Sequence, residues 1–158
     1  MKFRKILSTT VAASVASLFA LASINARAHT DEYLDTQQAP NGGQLRMAGM
    51  YHFELVVDRD SKEAKNNPVI VFVTDHAGTK VSTAGAKGTV TILAGKTKAA
   101  VNLAPDGDNR LKGSGIYAST PDMKAIVSIT LPDKSPEQAR FTPLARPAVA
   151  DGHSAHSH

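Results

Sequence analysis

From Gln44 onward, apolar and polar residues alternate with a period of two. Tyr51, Phe53, Leu55 and Val57 fall on one side of an extended chain; Met50, His52, Glu54 and Val56 fall on the other. That period marks a strand with one buried face. Val69 to Thr74 is a run rich in β-branched residues, suited to a strand buried on both faces. Lys87 to Leu93 and Lys98 to Leu103 flank Ala94-Gly95-Lys96-Thr97 and read as a hairpin. Arg110 to Ala118, Lys124 to Leu131 and Gln138 to Thr142 continue the pattern, and Lys80-Val81-Ser82 reads as a short returning strand. Turn clusters at Asp75 to Gly78 and Pro105 to Asn109 separate the runs, and Asp58 to Pro68 reads as a charged loop.

This spacing predicts an all-β domain over residues 44–142, with seven to nine short antiparallel strands. An immunoglobulin-like β-sandwich or a small barrel satisfies it. No segment after residue 28 has a helical period, although Ser119 to Met123 has room for one helical turn. Residues 29–43 are polar and predict an extended N-terminal arm. Residues 143–158 are rich in Pro and Ala, then in His, and predict a disordered tail.

Residues 1–28 follow another pattern. Lys2, Arg4 and Lys5 precede an apolar stretch from Ile6 to Ile24, and Ala26-Arg27-Ala28 fits the small-x-small cleavage rule. These are the parts of a signal peptide. Ser and Thr interrupt the stretch, which leaves it marginal for a span of about 20 apolar residues. The expectation is export to a periplasm, with no membrane attachment after cleavage. The net charge of +4 then loses its meaning: four of the 18 basic residues, and none of the 14 acidic ones, lie in the leader. A balanced remainder offers no basic surface for nucleic acid. The chain has no cysteine. Thiolate zinc sites, iron–sulfur clusters and cysteine nucleophiles are excluded, so any metal must rest on His, Met, carboxylate or backbone donors.

Cleavage after Ala28 makes His29 the first residue. Its α-amino group has an ordinary pKa of about 8, so a metal can displace the proton near neutrality. Amine and imidazole together would anchor Cu(II), which heads the affinity order for nitrogen sites. Asp31, Glu32 and Asp35 follow closely and offer oxygen donors. Met47, Met50 and His52 combine thioether and imidazole, a set that suits Cu(I). Glu54 shares the face of His52 and is placed to orient its ring. His76 in its turn is a further candidate nitrogen. His153, His156 and His158 form a tail tract that chelates Zn(II), Ni(II), Co(II) or copper with little selectivity. Asp106-Gly107-Asp108-Asn109 resembles a calcium loop but lacks the full ligand pattern, and reads as a turn. There is no Gly-x-Ser-x-Gly elbow, phosphate-binding loop or HExxH helix, so the chain reads as a binding protein rather than an enzyme.

The stretch His29 to Val57, with Thr74 to Gly78, resembles a family of small exported bacterial proteins. These are similar to the small β-domain that accompanies heavy-metal efflux adaptors of the copper, zinc and cobalt type. Gly42-Gly43-Gln44 and Tyr51-His52-Phe53-Glu54-Leu55 carry most of the likeness, which runs from about residue 29 to residue 144. The family often has a histidine just before the Gly-Gly pair, where this chain has Asn41. The resemblance implies metal homeostasis, with transition-metal ions and an efflux adaptor as partners. A different class of function stays open. An immunoglobulin-like envelope module could dock by adding a strand to a partner, with its histidines incidental.

Overall fold

A computed structural model describes residues 30–145; the expected leader, His29 and His153, His156 and His158 lie outside the described residues. The chain forms a short helix, α1 (Asp31–Asp35), then β1 (Gln44–Ala48), β2 (Tyr51–Val57), β3 (Lys65–Asp75) and β4 (Lys87–Ala94). It continues through β5 (Thr97–Pro105), β6 (Arg110–Tyr117), β7 (Lys124–Thr130) and β8 (Glu137–Phe141). All neighbours pair antiparallel in the order β1-β2-β3-β6-β5-β4-β7-β8.

The two ends of this sheet come together. Gln44 Oε1 accepts from the Thr142 amide at 2.8 Å, and Gln44 Nε2 reaches Thr142 Oγ1 at 3.5 Å. Side chains, rather than a strand ladder, therefore close the circle between β1 and β8. The result is a nearly closed eight-stranded barrel, the second of the two architectures expected from the spacing.

Alternation builds its interior. Phe53 and Leu55, Val69 to Val73 at every second position, Val90 and Ile92, Leu111, Val127 and Ile129, and Phe141 are all at most 2% exposed. Burying one such side chain contributes about 1.5–3 kcal/mol. Tyr117 is also fully buried, but its hydroxyl has partners: it donates to Pro68 O and accepts from Asp58 N at 3.0 Å. Burial pushes its phenol pKa up. These bonds, with Asn67 Nδ2 donating to Ser61 Oγ at 2.8 Å, tie down the charged segment after β2.

Several local expectations need correction. β3 starts at Lys65, inside the expected loop, and contains Pro68. Proline is tolerated there because the pairing with β2 stops at Val57 and Val69, leaving only β6 beside it. Lys80 to Ser82 provide a single bridge, Thr74 to Lys80, and no strand. Ser119 to Met123 contain a β-turn, closed by Met123 N on Thr120 O at 3.0 Å, and no helix. The arm is not fully extended, because Asp31–Asp35 are helical. Thr30 Oγ1 accepts from Tyr33 N, and Asp31 and Glu32 suit the positive end of the helix. At the other end, Pro143 is buried and Leu144 packs on the core, past the boundary placed at residue 142.

Candidate metal-binding cleft

The register of β1, β2 and β3 decides which side chains meet. The core takes Phe53, Leu55 and Val57, so His52, Glu54 and Val56 point outward. Met47 lies opposite His52, and His52 opposite Thr74, in one row. Leu45, Glu54 and Phe72 make the next. Directly opposed residues of an antiparallel pair share a face, with Cβ atoms about 4.5–5.5 Å apart.

The N-terminal arm lies over this face and makes a cleft of about 480 Å³. Arm residues between positions 33 and 41 form one wall. His52, Glu54, Phe72, Thr74, His76 and Lys80 contribute to the other. Two buried charges hold the arm in place. Glu54, only 3% exposed, accepts from Asn41 N and Asn41 Nδ2 at 2.8 Å each and from Gly43 N at 2.9 Å. Arg46, also buried, donates to both carboxylate oxygens of Asp35 at 2.6 and 3.1 Å, and its Nε lies 3.6 Å from Asp31. The hydrogen bond from Arg46 holds the Asp35 carboxyl below the usual carboxylate range.

The Gly42-Gly43 pair now has a physical explanation. Gly42 has φ +75°, a left-handed conformation that strains other residues. Gly43 lies so close to β2 that a Cβ would sit 2.4 Å from Leu55 O and 2.9 Å from Glu54 Cγ. The first glycine turns the chain; the second lets it lie flat against the strand.

His76 reaches the cleft through a side-chain-stabilised turn. Asp75 Oδ1 accepts from Ala77 N at 2.9 Å and Thr79 N at 2.8 Å. The Thr79 amide contributes most to holding the Asp75 carboxyl below its ordinary range; Ala77 and the nearby His76 add to it. This turn stacks the His76 ring on His52, with centroids 5.0 Å apart and planes 25° from parallel. His52 is half-buried and His76 exposed. Stacked rings do not aim their nitrogens at one point, but turning the exposed His76 ring toward a shared ion disturbs no core packing.

Of the residues singled out in the sequence, the fold brings His52 and His76 together, with Met47 as the cross-strand neighbour of His52 outside the cleft lining. Met50 stands apart. β2 begins one residue later, so Met50 sits at the tip of the β1–β2 turn, 75% exposed, rather than on the face of His52. The Glu54 carboxylate accepts from Asn41 and Gly43 and so anchors the arm. Among the described residues, no three His, Cys, Asp or Glu side chains converge on one point. The Asp106 to Asn109 segment is a turn. Asp106 pairs with Arg110 at 2.9 Å, and Asn109 Nδ2 donates to Val73 O at 3.1 Å.

Phe72 and Lys80 were not singled out. Phe72 stands in a run that reads as buried on both sides, and only the register places it beside Glu54. Asn41 lies on the cleft wall, so the position before the Gly-Gly pair belongs to the same site as both histidines. Comparison with family models, with curated proteins and with solved structures yields no match to this chain.

Proposed function

We propose that this protein binds a transition-metal ion, copper foremost, at the His52–His76 pair, and buffers or delivers it in the periplasm. One observation supports this reading above the others: two imidazoles from different elements stacked at 5.0 Å in a walled cleft. Neutral imidazole suits copper, zinc, nickel and cobalt, and copper binds nitrogen sites most tightly of these. Met47, the cross-strand partner of His52, carries a thioether that suits Cu(I). Structural metal sites are usually closed by four protein ligands. A pair of nitrogens holds an ion less tightly and releases it more readily, as buffering and transfer require. If the leader is removed, the amine and imidazole of His29 precede the arm directly, and the tail histidines act as a weak collector.

The test is a Cu(II) titration of the exported protein followed by electron paramagnetic resonance. A nitrogen-rich signal that saturates near one equivalent is expected, and His52→Ala with His76→Ala removes it. A signal unchanged in that double variant assigns the metal to His29 or the tail and overturns this site. Absence of any saturable signal with Cu(II), and of binding with Cu(I), overturns the metal reading altogether.

A further inference from the structure

The cleft is much larger than an ion requires. A metal completed by a few waters fills roughly 100 Å³, taking about 30 Å³ per water. The cleft measures about 480 Å³, in the range of sites for small organic molecules. Its donors are also too few. Divalent copper favours four nitrogen and oxygen donors in a tetragonal arrangement. His52 and His76 supply two, and no third His, Cys, Asp or Glu joins them among the described residues.

We infer that the cargo is a metal ion already chelated by a free α-amino acid, an inference that rests on the metal reading above. The amino nitrogen and one carboxylate oxygen of such a ligand occupy two positions on the ion, and the two imidazoles occupy the others once the exposed His76 ring turns out of the stack. The remaining chemistry of the cleft matches. Lys80 is the one ammonium group among the lining residues, held beside Thr74, the cross-strand partner of His52, by an isolated bridge. It is placed to pair with the amino acid's carboxylate, a charge-assisted contact stronger than a neutral one. Glu54, the one lining carboxylate, already accepts three N–H groups and does not compete for the ion. The rings of Tyr33 and Phe72 leave an apolar wall for the amino acid's side chain.

Native mass spectrometry and calorimetry on the exported protein separate the possibilities, with Cu(II) alone and the one-to-one Cu(II)–glycine and Cu(II)–histidine complexes as probes. The expected result is a ternary species of protein, copper and one amino acid. The chelate should bind about tenfold more tightly than Cu(II) alone, a difference of about 1.4 kcal/mol. Lys80→Gln removes that advantage, read as the ratio of chelate affinity to Cu(II) affinity within the variant. A protein–copper species with the amino acid stripped away, or an amino acid that only competes copper off, overturns the inference while the metal reading stands. So does a chelate advantage that is absent until the α-amino group of His29 is blocked, because the chain's own amine would then fill the open positions. If neither copper nor chelate binds, the metal reading fails, and this inference fails with it.

Discussion

The barrel has two outer faces built by the same alternation and used differently. On β4, β7 and β8 the outward positions hold Thr89, Thr91, Leu93, Lys124, Ile126, Ser128 and Arg140, which are exposed or half-exposed. On β1, β2 and β3 they hold Met47, His52, Glu54, Phe72 and Thr74, which are partly or fully buried. A carboxylate that is 3% exposed on the outside of a barrel is the clearest sign of the difference. Burying such a charge without partners costs several kcal/mol, so a covering element must supply donors. On β1, β2 and β3 the outward row carries aromatic, imidazole and acidic groups together and lines the cleft under the arm. On β4, β7 and β8, where it carries mainly Thr, Ser and Lys, it meets solvent.

The largest test of this contrast is chemical. Losing both His52 and His76 should lower copper affinity by more than about 100-fold, since even supporting residues around a metal cost 10–100-fold. Thr91→Ala with Ser128→Ala on the bare face should leave affinity unchanged in the same titration. Next in size is Gly43→Ala, which drives a methyl group into β2 and should destabilise by about 2–3 kcal/mol in urea unfolding. Gly42→Ala meets no atom and strains only its φ, for about 1 kcal/mol. Glu54→Leu leaves the amides of Asn41 and Gly43 without their acceptor and should cost about 1–3 kcal/mol, with faster protease cleavage in the arm. Thr89→Leu across the barrel should stay within about 0.5 kcal/mol.

The smallest effect concerns acid. The carboxyl groups of Asp35 and Asp75 titrate below their ordinary range when folded, because Arg46 and the Thr79 amide respectively favour the ionised form. Their stabilisation is therefore complete above the unfolded value of about 4 and is lost as pH falls through the lower folded values. Amide exchange at Ala77 and Thr79 should accelerate below about pH 4, while amides in the β4–β7 ladder keep their protection. Equal acceleration in both regions would mean the whole barrel opens, and would remove any special role for these two carboxylates.

Much of the barrel could be read from alternation, because each strand buries one face and the turns between them carry Gly, Asn and Asp. The hairpin at Ala94 to Thr97 formed as expected, with Gly95 and Lys96 as its two-residue loop. Helix α1 was not legible: five residues are too few to show a period, and the evidence for it is a cap at Thr30 and one buried Leu34. Pro68 masked the start of β3, because a proline reads as a strand breaker unless the missing partner strand is known. The candidate residues were visible as residue types, but their assembly was not. His76 lies 24 positions beyond His52, and only the pairing of His52 with Thr74 brings the two together. Met50 shows the converse, since its distance from His52 in sequence is short and a turn separates them.

The seam between β1 and β8 has a consequence for how the arm can move. An open sheet edge presents unpaired amides and carbonyls, a template on which other chains can stack and aggregate. Here the guard is Arg46, a charge placed inward on an edge strand and locked by Asp31 and Asp35 of α1. The same helix supplies Tyr33 and Leu34 to the cleft. One short element therefore walls the cleft and protects a sticky edge. Lifting it would also bare that edge, so if the cleft holds a ligand, exchange through a small local opening is favoured over detachment of the whole arm.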